Sequence, residues 1–323
     1  LTLQRPIALK ILPRELSRDR DYVERFFNEA KAAAAFSHPN IIKAYDAGVA
    51  DNNICYFAME FVEGETLLDR IEAQGPLLAS AALRIAHDIA SALDYGWDRQ
   101  QLTHGDIKPA NIMITPRGET KLADFGLAKV AGHDLETDGI LLTPLYAAPE
   151  VIQGFGDLET SCADIYSFGA TLYHMLTGAP PFPGEEAKEV MRQQVECELI
   201  PAIIKRPDVP KPVSDFVGTL LRKAPATRPQ DWKSVIHSIE RLQGLLTKRV
   251  AIARPAPQPI KAGADKVRLA EAAKVAGGER PRRSAPWWLA LLLLGVLIVL
   301  IWLLVALSGG DRDPARPPGA QRP

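Results

Sequence analysis

Cysteine is scarce in this chain: three residues in 323, Cys55, Cys162 and Cys197, lie far apart. No paired spacing is available for a zinc cage or a disulfide framework, so these cysteines are expected to be reduced and buried. An excess of one charge sign is also lacking. Lys plus Arg number 38 and Asp plus Glu 39, a net charge of −1, which excludes a uniformly basic nucleic-acid binder. Internal repeats are missing too. Apolar residues are not scarce: at 47% of the chain they exclude the composition of a disordered polymer. At ~150 residues per domain the length allows roughly two compact units.

The near-zero net charge conceals a split. Residues 248–286 hold ten Lys and Arg against three Asp and Glu. They are rich in Pro and Ala with weak apolar periodicity, as a flexible basic linker would be. The last sixteen residues add +1, which leaves about −9 for residues 1–247. Long uncharged apolar runs are absent except at 287–307, where 21 consecutive residues contain no charge, Asn, Gln, Ser or Thr. As a helix this run spans ~31 Å, close to the ~30 Å hydrocarbon core of a bilayer. Trp287 and Trp288 suit the headgroup boundary, and Arg280, Arg282 and Arg283 lie just before it. A signal peptide is excluded by its position near the C-terminal end. The expectation is a single-pass membrane protein with residues 1–286 in the cytoplasm, a transmembrane helix at 287–307 and a short polar tail at 308–323. The +7 linker is suited to contact with anionic lipid. Because the chain begins at Leu1, it is read as a fragment without its N-terminus.

Within residues 1–247, Ile7–Leu12, Ile41–Tyr45 and Ile54–Glu60 read as strands and Tyr22–Phe36 as an amphipathic helix. Helical spacing of Leu83, Ala86, Ile89, Ala90 and Leu93 predicts a long helix over Ser80–Tyr95, with Ser80 as its N-cap. Further helices are expected at about 162–177, 185–196, 213–222 and 231–246. A small strand-rich unit, 1–60, thus precedes a larger helical one, 61–247: an α+β arrangement in two lobes.

The chemistry-bearing residues cluster after the long helix. His104-Gly105-Asp106-Ile107-Lys108-Pro109-Ala110-Asn111 is followed by a short hairpin pattern, 112–123, and then by Asp124-Phe125-Gly126. Adjacent loops so deliver two carboxylates, an amide and a lysine. That set suits phosphoryl transfer, which needs positioning and charge neutralisation more than covalent work by the protein. Asp124 and Asn111 offer the oxygen ligands that hard magnesium ions require. Asp106 can accept a hydroxyl proton, and Lys108 can stabilise a transferring phosphoryl group.

These loops resemble the catalytic and magnesium loops of the protein kinases, specifically the bacterial eukaryotic-like (Hanks-type) Ser/Thr kinases, and the resemblance extends over residues 1–247. It implies the two-lobed kinase fold. Ile7-Ala8-Leu9-Lys10 is similar to the family's phosphate-holding strand, and Phe26-Phe27-Asn28-Glu29-Ala30 to the helix that supplies its carboxylate, so Lys10 and Glu29 are the implied ion pair. Met59-Glu60-Phe61-Val62 resembles the family's gatekeeper and hinge, which implies that backbone groups of Glu60 to Val62 meet the adenine edge. Glu150 of Ala148-Pro149-Glu150 and Arg228 of Ala226-Thr227-Arg228-Pro229 resemble the ion pair that closes the activation segment, and Asp164 resembles the aspartate that braces the catalytic loop. His104 and His38 are assigned structural roles. Lys108 and Thr143 resemble the Ser/Thr rather than the Tyr pattern. The implied cofactors are ATP and Mg2+, with Mn2+ as an alternative ion, and the implied partners are proteins with Ser/Thr acceptors, with no nucleic acid. A homodimer is compatible with this reading.

The chain departs from the family pattern in several places. No Gly-rich phosphate-covering loop precedes Lys10, so the chain as it stands is expected to transfer phosphate poorly, and truncation explains this better than evolved inactivity. Gly105 occupies a position where arginine is common. Activity is therefore expected to depend weakly on phosphorylation of the activation segment, whose Ser and Thr residues between Asp124 and Glu150 are Thr137 and Thr143. Leu142, Ala110 and Ala224 replace a glycine and two acids, changes that bear on substrate choice and local shape. The alternative reading is a catalytically inactive pseudokinase scaffold. A small-molecule kinase fits the 148–150 segment and Arg228 poorly.

Overall fold

The computed structural model describes residues 5–124, 144–155 and 161–253. The expected linker beyond Ala253, the transmembrane segment and the tail lie outside the described residues, as do Phe125, Gly126, Thr137 and Thr143. The chain divides into two units, Leu1–Pro255 and Ala256–Pro323.

Strands β1 (Ile7–Ile11), β2 (Ala44–Ala50) and β3 (Ile54–Glu60) form an antiparallel sheet in the order β1-β3-β2. Lys10 stands opposite Phe57 in the register. The two-residue period of a strand puts Ile7, Leu9 and Ile11 on the exposed face of β1 and Ala8 and Lys10 on the other. Helix α1 (Arg20–Ala34) covers the sheet with Phe26, Ala30 and Ala33, spaced to share one helical face, and these join Leu12, Cys55 and Phe57 in a small core.

A second antiparallel sheet, β4 (Glu65–Thr66), β5 (Ile112–Ile114) and β6 (Thr120–Leu122), lies in the larger, mostly helical part, with α2 (Leu67–Gln74) starting directly from β4. A capping box starts α2: the Thr66 hydroxyl accepts from Asp69 N, and Asp69 reaches back to Thr66 N. Helix α3 (Ala79–Gln100) and the later helices α4 (Pro149–Ile152), α5 (Cys162–Thr177), α6 (Ala187–Glu196), α7 (Ala202–Lys205), α8 (Lys211–Leu220) and α9 (Trp232–Ala253) complete the described fold. The core centres on α5, a helix apolar nearly all round and buried along almost its whole length. The three cysteines carry no disulfide; Cys55 and Cys162 are buried and Cys197 is half-buried.

Two local expectations are corrected. The Ile41–Tyr45 strand is displaced: Ile41 makes only an isolated parallel bridge to Leu122, and β2 begins at Ala44. The cause is tertiary. Ile41 is buried in the larger core, where Ile42 N donates to Leu122 O and Leu122 N to Asn40 O. Ser80 is not the N-cap of α3 either; that position is Leu78, which has no side-chain cap. Leu77, whose N–H donates to Met175 O, pins the chain just before the helix, which therefore starts earlier than its polar residue suggests. Helix α9 runs to Ala253, past the expected domain boundary at 247.

Close packing of α5 on α8 depends on one glycine. A Cβ on Gly169 would lie 2.7 Å from Leu220 Cβ. Gly169→Ala is expected to destabilise the protein, because overpacking costs about 1–3 kcal/mol against about 0.8–1.0 kcal/mol gained in helix propensity. The urea midpoint of the variant checks this, and a midpoint at or above that of the parent refutes the close approach.

Candidate active site

The loop between α3 and β5 carries Asp106, Lys108 and Asn111. Asp106 is fixed from two sides: Lys108 Nζ lies 2.7 Å from Oδ2, and Asn111 Nδ2 donates to Oδ2 at 2.9 Å and to the Asp106 backbone oxygen at 2.8 Å. The carboxylate thus sits among donors and keeps its second oxygen for another partner. Both ends of the Asp106–Lys108 pair stay partly open, with side chains 24% and 19% exposed.

The loop is braced from beneath. Asp164, in the first turn of α5 and 3% exposed, accepts from His104 N at 2.6 Å and Gly105 N at 2.8 Å. Burial pushes its carboxyl above the usual carboxylate range, and His104 and the two N–H donors oppose that shift. Gly105 has φ +76°, left-handed backbone that an L side chain resists, so the local conformation suits the glycine found there. His104 is fully buried; its Nδ1 accepts from Asp106 N at 3.2 Å, so Nε2 carries the proton and donates to Ala123 O at 2.9 Å. Ala123 N in turn donates to Asn111 O. This chain of bonds couples the loop to the residue before Asp124.

Asp124 has φ +56°, a costly conformation for a residue with a side chain, stabilised here by its surroundings. Its Oδ1 lies 3.1 Å from Lys10 Nζ, which β1 delivers from 114 positions away. Glu29 lies on α1, and its side chain is outside the described residues. Asn111 spends Nδ2 on Asp106, which leaves its amide oxygen for a cation. Together with the Asp124 carboxylate it makes a pair of hard oxygen donors, the set that suits a magnesium-like ion completed by phosphate and water oxygens.

Met59 and Glu60 end β3, and Val62 follows in the connection to β4. Glu60 is held firmly, its Oε1 accepting from Lys121 Nζ at 2.7 Å and its N donating to Lys43 O at 2.8 Å. The Lys121 contact was not legible in the sequence, where β6 offers only an alternating lysine. The same holds for Thr171, whose hydroxyl lies 2.9 Å from Ser167 O in its own helix and 3.3 Å from Ile107 O, so its one proton is shared between α5 and the Asp106 loop. Farther out, Arg228 and Glu150 meet in a bidentate pair at 2.6 and 2.8 Å.

A third unforeseen contact joins residues 144–148 to α5: Tyr146 Oη and His174 Nδ1 lie 2.8 Å apart, and the rings stack. Burial lowers His174 below its ordinary value of 6.5. As pH falls through 6.5 the unfolded chain gains a proton that the folded one refuses, so this residue makes stability fall on acidification. We expect the urea midpoint to drop less between pH 7.5 and 5.5 in His174→Gln than in the parent. Equal drops would remove His174 from the account.

Residues 2–239 match the family described as "Protein kinase domain". The chain is 37% identical over 230 residues to the Serine/threonine-protein kinase PrkC of Bacillus subtilis, covering 71% of this chain and 35% of that protein. It is 31% identical over 340 residues to the Serine/threonine-protein kinase PknB of Mycolicibacterium smegmatis, covering 96% and 52%. It thus spans about a third to a half of the length of these relatives. Among solved structures, the PknI kinase domain of M. tuberculosis aligns with TM-score 0.57 and 27% identity over 74% of this chain and 85% of that one. Rad53 1–466 in complex with AMP-PNP aligns with TM-score 0.58 and 27% identity over 73% and 57%.

Proposed function

The chain belongs to the protein kinase family, and from that premise we propose that it is the catalytic part of a membrane-tethered protein kinase that moves the γ-phosphoryl group of ATP to serine and threonine hydroxyls. The observation that carries this is the convergence of Asp106, Lys108 and Asn111 with the Lys10–Asp124 pair, drawn from separate parts of the chain.

In this reading Asp106 orients the acceptor hydroxyl and takes its proton. Lys108, against the same carboxylate, offsets the charge that develops on the transferring group. Lys10 reaches the nucleotide phosphates from β1, with Glu29 on α1 as its second carboxylate partner. Met59, Glu60 and Val62 border the adenine, and the Lys121–Glu60 pair holds that edge in place. Asn111 and Asp124 would hold magnesium, or manganese in its place, which supplies phosphate charge neutralisation and orientation. Glu150, Asp164 and Arg228 are positioning residues, and Thr137 and Thr143 belong to the activation segment. The Ser/Thr preference is supported by Lys108 and by the printed names of the relatives. The uncharged run at 287–307 and the basic linker before it support a single membrane span with the catalytic unit on the cytoplasmic side. The +7 linker supports lipid contact, and self-association remains compatible with the proposal.

The test is phosphate incorporation from labelled ATP by the full-length protein, with magnesium or with chelator, into a basic protein carrying Ser, Thr and Tyr. Labelled phosphoserine and phosphothreonine that vanish with chelator are expected. ATP binding without incorporation would replace the enzyme by a pseudokinase scaffold.

A further inference from the structure

The polypeptide leaves the described fold at the end of α9, and the surface around that exit combines apolar and basic character. A cleft of about 660 Å3 opens before that exit, between α7, the start of α8 and the stretch of α9 from Leu242 to Lys248. Its apolar wall comprises Ile203, Val209, Val213, Leu242, Leu245 and Leu246. At the rim the apolar character reaches water: Leu245 is 49% exposed, and Ile204, next to Ile203, is 70% exposed. Single exposed aliphatic residues need no explanation, but a cleft with an apolar wall and an apolar rim does.

Lysines stand at its edge. Lys211 and Lys248 line the cleft and Lys205 ends α7. The acids nearby are already engaged, Asp208 by Arg206 and Asp215 by Lys211. Lys205 and Lys248 make no ion pair among the described residues. This face therefore has a positive excess on a unit whose residues 1–247 carry about −9. An anionic surface repels such a unit in general and attracts it here. Aliphatic side chains flanked by lysines match a lipid interface, where the lysines meet headgroup charge and the aliphatics enter the acyl boundary. Only 33 residues separate Ala253 from Trp287, where the uncharged run starts, and the stretch 248–286 is itself +7.

We infer that the face formed by α7 and the end of α9 is a docking surface for anionic lipid, seating the kinase unit on the membrane. The inference rests on the reading of 287–307 as a membrane span. The test uses the full-length protein reconstituted into nanodiscs of phosphatidylcholine alone or with phosphatidylglycerol, and compares acetylation rates of individual lysines by mass spectrometry. In the anionic discs Lys205 and Lys248 are expected to react roughly tenfold more slowly than in the neutral ones, while Lys188, exposed on α6, reacts equally in both. The Ile204→Glu, Leu245→Glu double variant should restore the faster rates, with phosphate transfer to a soluble peptide unchanged. Equal rates in both discs would overturn the proposal. Slow rates in both, or in detergent, would assign the cleft to another segment or a second copy of the chain, and so overturn it as well. Failure of the protein to co-purify with either disc would refute the membrane span itself, and the docking surface with it.

Discussion

Asp106→Asn is expected to lower phosphate transfer by roughly 10²–10⁴-fold, the usual contribution of a positioned general base, with ATP affinity little changed. The geometry explains why the variant is informative. Asparagine keeps the size of the side chain and an oxygen for Asn111 Nδ2, now 2.9 Å from Asp106 Oδ2. What it removes is the negative charge, and with it the 2.7 Å ion pair to Lys108 and the capacity to take a hydroxyl proton. The brace beneath is untouched, since Asp164 holds the backbone N–H groups of His104 and Gly105 rather than the Asp106 side chain. Single-turnover transfer from labelled ATP separates this loss from a change in product release. Transfer at near-parent rates with intact nucleotide binding would remove Asp106 from the base role. A Lys108→Met variant should also lose rate while keeping the carboxylate, which distinguishes charge stabilisation from proton acceptance.

Arg228→Ala is expected to cost roughly 3–5 kcal/mol of stability, because breaking a buried pair leaves an uncompensated charge. The arginine side chain is fully buried and that of Glu150 is 12% exposed. Beyond Glu150, the guanidinium donates to the carbonyls of Cys162, Arg222 and Lys223 at 2.7–2.9 Å and lies over the Tyr166 ring at 4.8 Å. Truncation therefore strands one carboxylate and three backbone acceptors at once. Arg228→Lys should rescue little, since a single ammonium has neither the fork for a bidentate carboxylate nor the reach for the remaining carbonyls. Guanidinium unfolding of both variants checks this. A loss below about 1 kcal/mol for the alanine variant, the range of a surface ion pair, would show that the pair is solvated in solution. Because Glu150 opens α4, the variant should also impair protein phosphorylation more than ATP binding.

Several features were legible in the residues alone because they are local. The Lys108 and Asn111 contacts of Asp106 span two and five positions, and the loop that carries them follows a helix whose apolar spacing predicts its existence. The strand at Ile54–Glu60 and the helix at 162–177 appear at their expected limits, since side-chain periodicity reports directly which face is buried. The same reasoning failed at Ile41 and at Ser80. A pair of β-branched residues reads as a strand whether it extends a sheet or, as here, plugs a core, and a serine near a helix start reads as a cap whether or not the chain has already turned.

What the sequence determined by itself is the inventory and its order: which groups the loops around Asp106 and Asp124 carry, the unequal spread of charge, and the apolar run near the C-terminal end. Resemblance to a family suggested Glu29 as the partner of Lys10 and gave the partners of Asp164 and Arg228, but periodicity and spacing are silent about all three. Only the tertiary structure decided that Lys10 meets Asp124 across 114 positions, that Lys121 holds Glu60, and that Tyr146 stacks on His174. The reason is physical. Burial pattern is encoded every two or three to four residues, whereas a long-range pair depends on which of many chemically equivalent charges is brought near when loops close and cores pack.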